Sequence, residues 1–287
     1  MLINQTYANF SDLSYKTAVM VYTFSLVMSL VYYTRSNEKF AGMAQTLVWL
    51  GLAIHAVSVV LRGLSANRFP WGNLYEYVSA TTLVAIAVAA FVIQRKDLRS
   101  LWPWILTPVL ALLFYNGTAL YSASAPVVPA LRSFWLPFHV SIVSIGAGIG
   151  LLSGMSSLAY IVRKYQPEGE ERGLLGKVAK PLPSATVLDT IAYRAAIWAV
   201  PVFGLGIMLG ALWAEAAWGR FWGWDPKETV SFVTWILYAG YLHARSTTGW
   251  RAEKSAWINI AAFVTMVFNL FFINQVVSGL HSYAGLN

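Results

Sequence analysis

The chain contains no cysteine among its 287 residues. It therefore forms no disulfide bond, offers no thiolate to a metal and carries out no thiol redox chemistry of its own. Charged side chains are also scarce, at 11% of the residues, whereas a soluble domain carries about 25%. Because 57% of the residues are hydrophobic, too few polar side chains remain to cover a soluble core. The composition indicates an integral membrane protein.

The net charge of +8 does not indicate a nucleic-acid-binding protein. The basic residues lie in short segments beside apolar runs, where such residues set membrane topology. The first residues lack the basic region of a signal peptide, and no small-residue cleavage site follows the first apolar run. We therefore expect a retained first helix that is preceded by a short tail.

Eight apolar runs are candidates for spanning helices, which need about 20 residues each. They lie at residues 17–34, 42–62, 76–94, 101–116, 135–162, 193–213, 229–244 and 256–277. The fourth run is short and holds Pro103 and Pro108, so we expect it to be kinked or re-entrant. The pattern predicts an all-α polytopic bundle of about eight transmembrane helices, which forms a single membrane domain over residues 1–287.

The distribution of basic residues predicts the orientation of this bundle. Fourteen of the 20 lysines and arginines lie in alternate connections, on the side that the positive-inside rule assigns to the cytoplasm. Both termini then face the extracytoplasmic side. The longest polar connection, residues 163–192, lies on the cytoplasmic side, and we expect a partly ordered linker there.

A tryptophan-rich segment connects the sixth and seventh predicted helices on the outer side, at about residues 213–230. Its centre, WGRFWGWDPKE, places three indoles within seven residues and separates them with glycines. The residues concerned are Trp218, Gly219, Trp222, Gly223 and Trp224. An interfacial aromatic belt explains isolated tryptophans, but it does not require this density.

Two helix starts on the outer side carry capping signals. Asp225 fits the N-cap position, Pro226 the first helical position and Glu228 the third position of a capping box. Asn73 is a candidate N-cap for the third predicted helix, near Glu76. A capped start would hold the tryptophan-rich segment rigidly.

Two histidines are predicted to lie on the same side as the tryptophans. His139 begins the fifth predicted helix, and His281 follows the last one. Two neutral imidazoles beside a flat aromatic surface suit haem, whose iron takes two axial ligands and whose ring stacks on indoles. Either histidine alone would more simply be an interfacial polar residue. The outer basic residues that are available to the haem propionates are Arg68, Arg132, Arg220 and Lys227.

The other two histidines lie within predicted helices. About 14 residues, or roughly 20 Å, separate His243 from the outer end of its helix, so it belongs to a different level. It is either a functional intramembrane residue or a polar side chain that reaches the headgroups beside Arg245. His55 is either a ligand or a partner in a hydrogen bond across the bundle. A chain that binds haem both within the membrane near the cytoplasm and at the outer side would move haem outward across the membrane.

The motifs resemble those of a known family. WGRFWGWDPKE resembles the tryptophan-rich WWD signature of haem-handling proteins in cytochrome c maturation. LPFHVS, YLHAR and GLHSYAG are similar to segments of the CcsA/ResC family, the integral membrane half of the system II cytochrome c synthase. The resemblance runs from about residue 40 to the C terminus. The tryptophan motif alone would also admit CcmC and CcmF of system I, which differ in helix count and in the arrangement of histidines.

The resemblance implies a role for each matching position. His139 and His281 would be the external axial ligands of haem b, and His243 would be an intramembrane ligand where haem enters. The platform that holds haem would consist of Trp218, Gly219, Trp222, Trp224 and Asp225. In this family the other intramembrane ligand comes from a CcsB/ResB-type membrane partner, which leaves His55 a weak candidate.

The implied activity is that of a cytochrome c synthase component, which joins haem vinyl groups to the CXXCH cysteines of apocytochrome c. It would require the CcsB/ResB-type partner and a thioredoxin-like reductant that keeps the substrate thiols reduced. The location would be a bacterial plasma membrane, or a thylakoid membrane. No residue is an obvious acid or base, so the catalytic residues stay unassigned and positioning is expected to supply most of the catalysis.

Three other functions fit parts of the sequence. The first is a haem exporter or chaperone without synthase activity. The second is a membrane transporter or scaffold that binds no haem and uses its tryptophans as a belt. The third is a quinone oxidoreductase with b-type haems, although such proteins place paired histidines on facing helices within the membrane.

Overall fold

The computed structural model describes residues 3–127, 129–250, 252–277 and 279–281, which contain helices and no strand. The helices are α1 (Gln5–Arg35), α2 (Glu38–Ala66), α3 (Leu74–Val92), α4 (Trp102–Thr118), α5 (Trp135–Tyr165), α6 (Gly173–Ala179), α7 (Ala185–Trp218), α8 (Pro226–Ser246), α9 (Ala252–Phe268) and α10 (Asn274–Val276). Short 3₁₀ turns lie at Lys96–Leu101 and Pro129–Leu131, and a π-helical turn at Asn269–Ile273 joins α9 to α10. The predicted all-α class is confirmed.

Side-chain caps determine where several helices begin. The Asn73 side chain accepts a hydrogen bond from the backbone N–H of Glu76 at 2.9 Å, which confirms the predicted cap of α3. Asp225 and Glu228 form the predicted capping box at the start of α8, with Pro226 as its first residue. Each cap satisfies N–H groups that have no acceptor within the helix.

All eight predicted apolar runs are helical, but they do not all qualify as membrane spans. Seven helical segments in the described residues are long and apolar enough to cross a membrane. The exception is α8, because its 21 residues include charged and polar side chains near both ends. The fourth segment, Lys96–Thr118, is long enough to span, and its helix continues through Pro108. The exact count of spans and the outward orientation of the termini stay predictions.

Helix α7 is longer than the sequence indicated at both ends. It begins at Ala185, within the connection 163–192, and continues to Trp218, so only residues 219–225 of the tryptophan-rich segment are non-helical. Gly219 ends the helix with a φ of +70°, a conformation that costs glycine little. The 163–192 connection also holds α6 and a 2.7 Å ion pair between Arg163 and Glu171, so it is more ordered than we expected.

Helices α5 and α7 pack closely against each other in the second half of the bundle. Gly146 of α5 faces the backbone of α7, and a methyl group added there would lie 2.8 Å from the Cα of Phe203. Small residues allow the backbones of membrane helices to come this close together. Within lipid the hydrophobic effect does not drive helices together, so van der Waals packing stabilises the pair instead. This packing positions the start of α5 against the last third of α7.

The helix ends of both halves meet at one end of the bundle. The backbone N–H of Asn4 donates to the Ser65 carbonyl at 2.8 Å, which joins the start of α1 to the end of α2. The Tyr121 hydroxyl donates to Asp12 at 2.6 Å, which brings in the segment after α4. The starts of α3, α5 and α8 and the end of α7 lie here as well. We call this the site end.

Candidate functional site

A large cavity opens at the site end of the bundle. Its volume is about 1030 Å³, including the space that is open to solvent. His139 from α5, His281 from the segment after α10 and Trp222 all line it. The predicted convergence of the two distant histidines on the tryptophan-rich segment is therefore present in the fold.

His139 is held by α7. Its Nδ1 lies 2.8 Å from the carbonyl oxygen of Gly206, which can only accept a hydrogen bond, so Nδ1 carries the proton. Gly210 lies one turn further along α7, and a methyl group there would come within 2.7 Å of the imidazole ring. The neutral imidazole then keeps its lone pair on Nε2, which leaves that atom available to a metal.

His281 is held by Asp225. Its Nδ1 lies 2.9 Å from Asp225 Oδ1, and the backbone N–H of Leu280 donates to Oδ2 at 2.9 Å. The backbone N–H of Lys227 donates to Oδ1 at 3.0 Å as part of the helix cap. One carboxylate therefore starts α8 and docks residues 280–281 against that start.

The electrostatics of this pair indicate a neutral imidazole beside a carboxylate. Burial by itself would raise the pKa of Asp225, but hydrogen bonds from His281 and from two backbone N–H groups outweigh it and lower the pKa to about 2. Burial lowers the pKa of His281, and the neighbouring carboxylate opposes this only in part. Nδ1–H donates to the carboxylate, as in many metal sites where a second group orients the ligand, and Nε2 stays free.

The three predicted indoles occupy three different environments. Trp222 lines the cavity. Trp218 lies behind the cavity wall, with its ring 4.8 Å from that of Trp213 and 4.9 Å from that of His281. Trp224 is 67% exposed and contacts Trp222 edge-on from outside. Its φ of +58° is strained for a bulky residue.

Sequence reasoning missed Trp213. This buried side chain of α7 lines the cavity, and its ring lies 5.8 Å from that of His139 and 5.4 Å from that of His281. It is thus the aromatic residue shared by both histidines. Gly206 and Gly210, four residues apart in an apolar helix, were the available signal that another element packs closely here.

Only one of the four predicted propionate partners lines the cavity. Arg68 and Arg220 each form an ion pair with a glutamate, at 2.7 Å and 3.1 Å. Arg132 is exposed and donates to the carbonyl of Val127. Lys227 is the cavity-lining residue of the four.

The remaining two histidines lie apart from this cavity. His243 is exposed near the opposite end of α8, about 27 Å from Asp225 at 1.5 Å per residue. His55 is fully buried, with Nε2 3.1 Å from the Ser79 hydroxyl and its ring edge-on to Tyr22. His55 lines neither the cavity nor its inward extension, and its surroundings favour the hydrogen-bonding interpretation over ligation.

The cavity adjoins a second, inner chamber of about 720 Å³, including the space that is open to solvent. Tyr77, Phe203, Lys227 and Ser231 are among the residues that line both spaces. The inner chamber extends between α3, α5 and α9 and is mostly apolar.

Comparisons with known proteins show the family of this chain. A family model described as cytochrome C assembly protein matches residues 71–281, which includes both cavity histidines. Cytochrome c biogenesis protein CcsA of Guillardia theta is 29% identical over 97% of each chain. CcsA of Parasynechococcus marenigrum (strain WH8102) is 31% identical over 90% of this chain and 92% of its own length.

A solved structure gives a likeness of fold. It is the cytochrome c haem lyase CcmF, with a TM-score of 0.70 and 15% identity over 94% of this chain. This chain spans 47% of that longer protein. The apolar helices and the CcsA relatives together show an integral membrane protein of the plasma or thylakoid membrane. The chain belongs to the cytochrome c assembly protein family and, within it, to the CcsA proteins.

Proposed function

We propose that this chain carries haem across the membrane and presents it between His139 and His281 for covalent attachment to apocytochrome c. Its family membership makes it a component of cytochrome c biogenesis. The proposal adds the mechanism, in which the chain is the CcsA half of a synthase that also needs a CcsB/ResB-type partner. Haem b is the substrate that the chain holds and passes on.

One observation carries this proposal. Two histidines that are 142 positions apart line the same cavity, and each has its Nδ1 atom occupied by an acceptor. Both rings therefore offer only Nε2 to a ligand. Two neutral imidazoles with free Nε2 atoms, next to a large aromatic-lined space, form a donor set that suits a six-coordinate haem iron.

The chemistry that the chain would promote is an addition. Each cysteine thiol of the CXXCH segment adds across one vinyl double bond of haem. Sulfur bonds to the vinyl carbon next to the ring, and the thiol hydrogen ends on the terminal carbon, so no electron is gained or lost. The residues of this chain contribute by holding the ring in place and by excluding water, which lowers the barrier through orientation. The chain has no cysteine, so a thioredoxin-like protein must keep the substrate thiols reduced.

His243 would act at an earlier step. Its side chain is exposed on α8, near the end opposite the cavity. A membrane partner could therefore approach it and supply a second ligand, while a histidine that faced lipid alone would be costly. The inner chamber lies between the two levels.

The test is the visible spectrum of the purified, reduced protein, alone and with its co-expressed partner. We expect a b-type haem spectrum that weakens or shifts in His139→Ala and in His281→Ala. Loss in His243→Ala as well would support an inward-to-outward path. His55→Ala is the matched control, and we expect it to keep the haem. A colourless wild type, even with the partner and sufficient haem, would refute the proposal.

A second measurement separates a synthase from a haem exporter. The complex is mixed with reduced apocytochrome c, and thioether formation is followed by haem that stays bound after denaturation. Covalent product supports the synthase. Haem binding without covalent product would leave the chain as an exporter or chaperone.

A further inference from the structure

Two polar residues that line the cavity are not explained by the histidine site. They are Lys227, at the start of α8, and Trp71, in the segment before α3. Both have side chains that donate hydrogen bonds.

Lys227 lacks a carboxylate partner within ion-pair distance among the described residues. Its Nζ donates to the amide oxygen of Asn274 at 2.5 Å and lies 5.5 Å from the centre of the Tyr77 ring. Neither contact neutralises the charge. A partly buried ammonium group that keeps only a neutral acceptor gains from an anion placed in the cavity.

The indole N–H of Trp71 is enclosed and finds no acceptor in the part of the chain that the structure describes. The segment around it is rigid, because the carboxylate of Glu76 accepts from the Gly72 backbone N–H at 2.7 Å and from the Arg68 guanidinium at 2.7 Å. A buried donor without an acceptor costs free energy, which a hydrogen bond to a bound molecule would recover. Because Trp71 also lines the cavity, a carboxylate bound there is an acceptor that could satisfy this N–H.

We propose that Lys227 and Trp71 form a carboxylate-binding subsite of the cavity. This inference rests on the proposed function, in which the carboxylates are the two propionates of haem. It assigns the role to Lys227 and not to Arg68 or Arg220, whose charges are already paired. Haem carries its propionates on one edge and its vinyl groups away from that edge. The subsite therefore directs the vinyl groups away from Lys227, where substrate thiols can reach them.

The test compares two porphyrins and three variants. Haem and its dimethyl ester, which has no carboxylate charge, are titrated into the purified protein in the same detergent, and binding is followed by absorbance. We expect the wild type to prefer the diacid. Lys227→Gln should reduce this preference by roughly 10-fold or more, the size expected for a hydrogen bond to a charged group. Trp71→Phe keeps the ring and removes the N–H, and it should reduce the preference by a smaller factor.

Arg132→Gln is the matched control, because Arg132 is an exposed cation at the same end that does not line the cavity. It should leave the preference unchanged. Because each porphyrin partitions into the detergent equally in every sample, the ratio between variants reports the subsite alone. If Lys227→Gln and Trp71→Phe keep the wild-type preference, the subsite is refuted while the haem function stands. If neither porphyrin binds to the wild type, the haem function fails first and the subsite fails with it.

Discussion

Two polar clusters lie at the site end of the bundle, and they treat their polar groups in opposite ways. The Glu76 cluster, made of Asp12, Arg62, Arg68 and Glu76, is buried between α1, α2 and α3. The carboxylate of Glu76 accepts four hydrogen bonds, from Arg62, from Arg68 twice and from the Gly72 backbone. The histidine cavity, by contrast, is lined by four residues whose polar groups are not fully paired within the described part of the chain. They are His139 and His281, with no partner on Nε2, Lys227, with no carboxylate partner, and Trp71, whose enclosed indole N–H finds no acceptor.

The difference separates a structural cluster from a binding site. Burying charges in a membrane protein is costly, and the cost is offset when every donor has an acceptor. In the Glu76 cluster both oxygens of the central carboxylate are paired with donors. These hydrogen bonds hold the segment from Arg68 to Asn73 in place. The cavity does not meet that condition, and a ligand that accepts hydrogen bonds would be stabilised there. The comparison predicts that changes in the two clusters will affect different measurements.

The largest expected effect is on stability, from Glu76→Gln. Removing this charge leaves Arg62 and Arg68 without their common carboxylate, which should lower the free energy of unfolding by about 3–5 kcal/mol. Thermal unfolding in detergent measures the change. Glu38→Gln, an exposed carboxylate on α2, is the control and should unfold like the wild type. Equal stability of the two variants would remove the distinction between the clusters.

A smaller effect, this time on haem affinity, is expected from Asp225→Asn. Asparagine still caps a helix, so α8 should keep its start, but the neutral amide orients His281 less strongly. Loss of such an orienting group typically costs about 10- to 100-fold in metal affinity, and haem titration measures it. Asp97→Asn is the control, because Asp97 is an exposed carboxylate that forms an ion pair with Arg95. If Asp225→Asn binds haem like the wild type, residues 280–281 do not depend on this carboxylate.

The third effect, which is expected in the spectrum of bound haem, comes from Gly210→Ala. The added methyl group would lie 2.7 Å from the imidazole of His139 and would push the ring off the Gly206 carbonyl. Overpacking of this kind costs about 1–3 kcal/mol, and here it should appear as a shift of the haem absorption bands. Gly240→Ala in α8 is the matched control, since among the described residues no neighbouring element has an atom within 4 Å of its added methyl group. Identical spectra for both variants would show that α7 does not position His139.

Much of the fold was predictable because each membrane-spanning segment is recognisable from its own run of apolar residues. A run of apolar residues in a bilayer must become a helix, since no water is present to satisfy its backbone groups. The caps at Asn73 and Asp225 were predictable for the same local reason, because a capping side chain bonds a backbone N–H two or three residues away. Helix α8 was the ambiguous case, since its polar side chains serve the cavity and the ends of the helix.

The sequence by itself determined the all-α membrane class, the position of each apolar helix and the candidate histidines. The tertiary structure decided which of those residues meet. It joined His281 to Asp225, packed His139 against Gly210, and brought Trp213 into contact with both rings while leaving Trp224 exposed. Of the four outer basic residues that could bind the haem propionates, it placed only Lys227 at the cavity wall. These outcomes depend on contacts between residues far apart in the chain, and the helix packing that creates those contacts has no local pattern from which to read it.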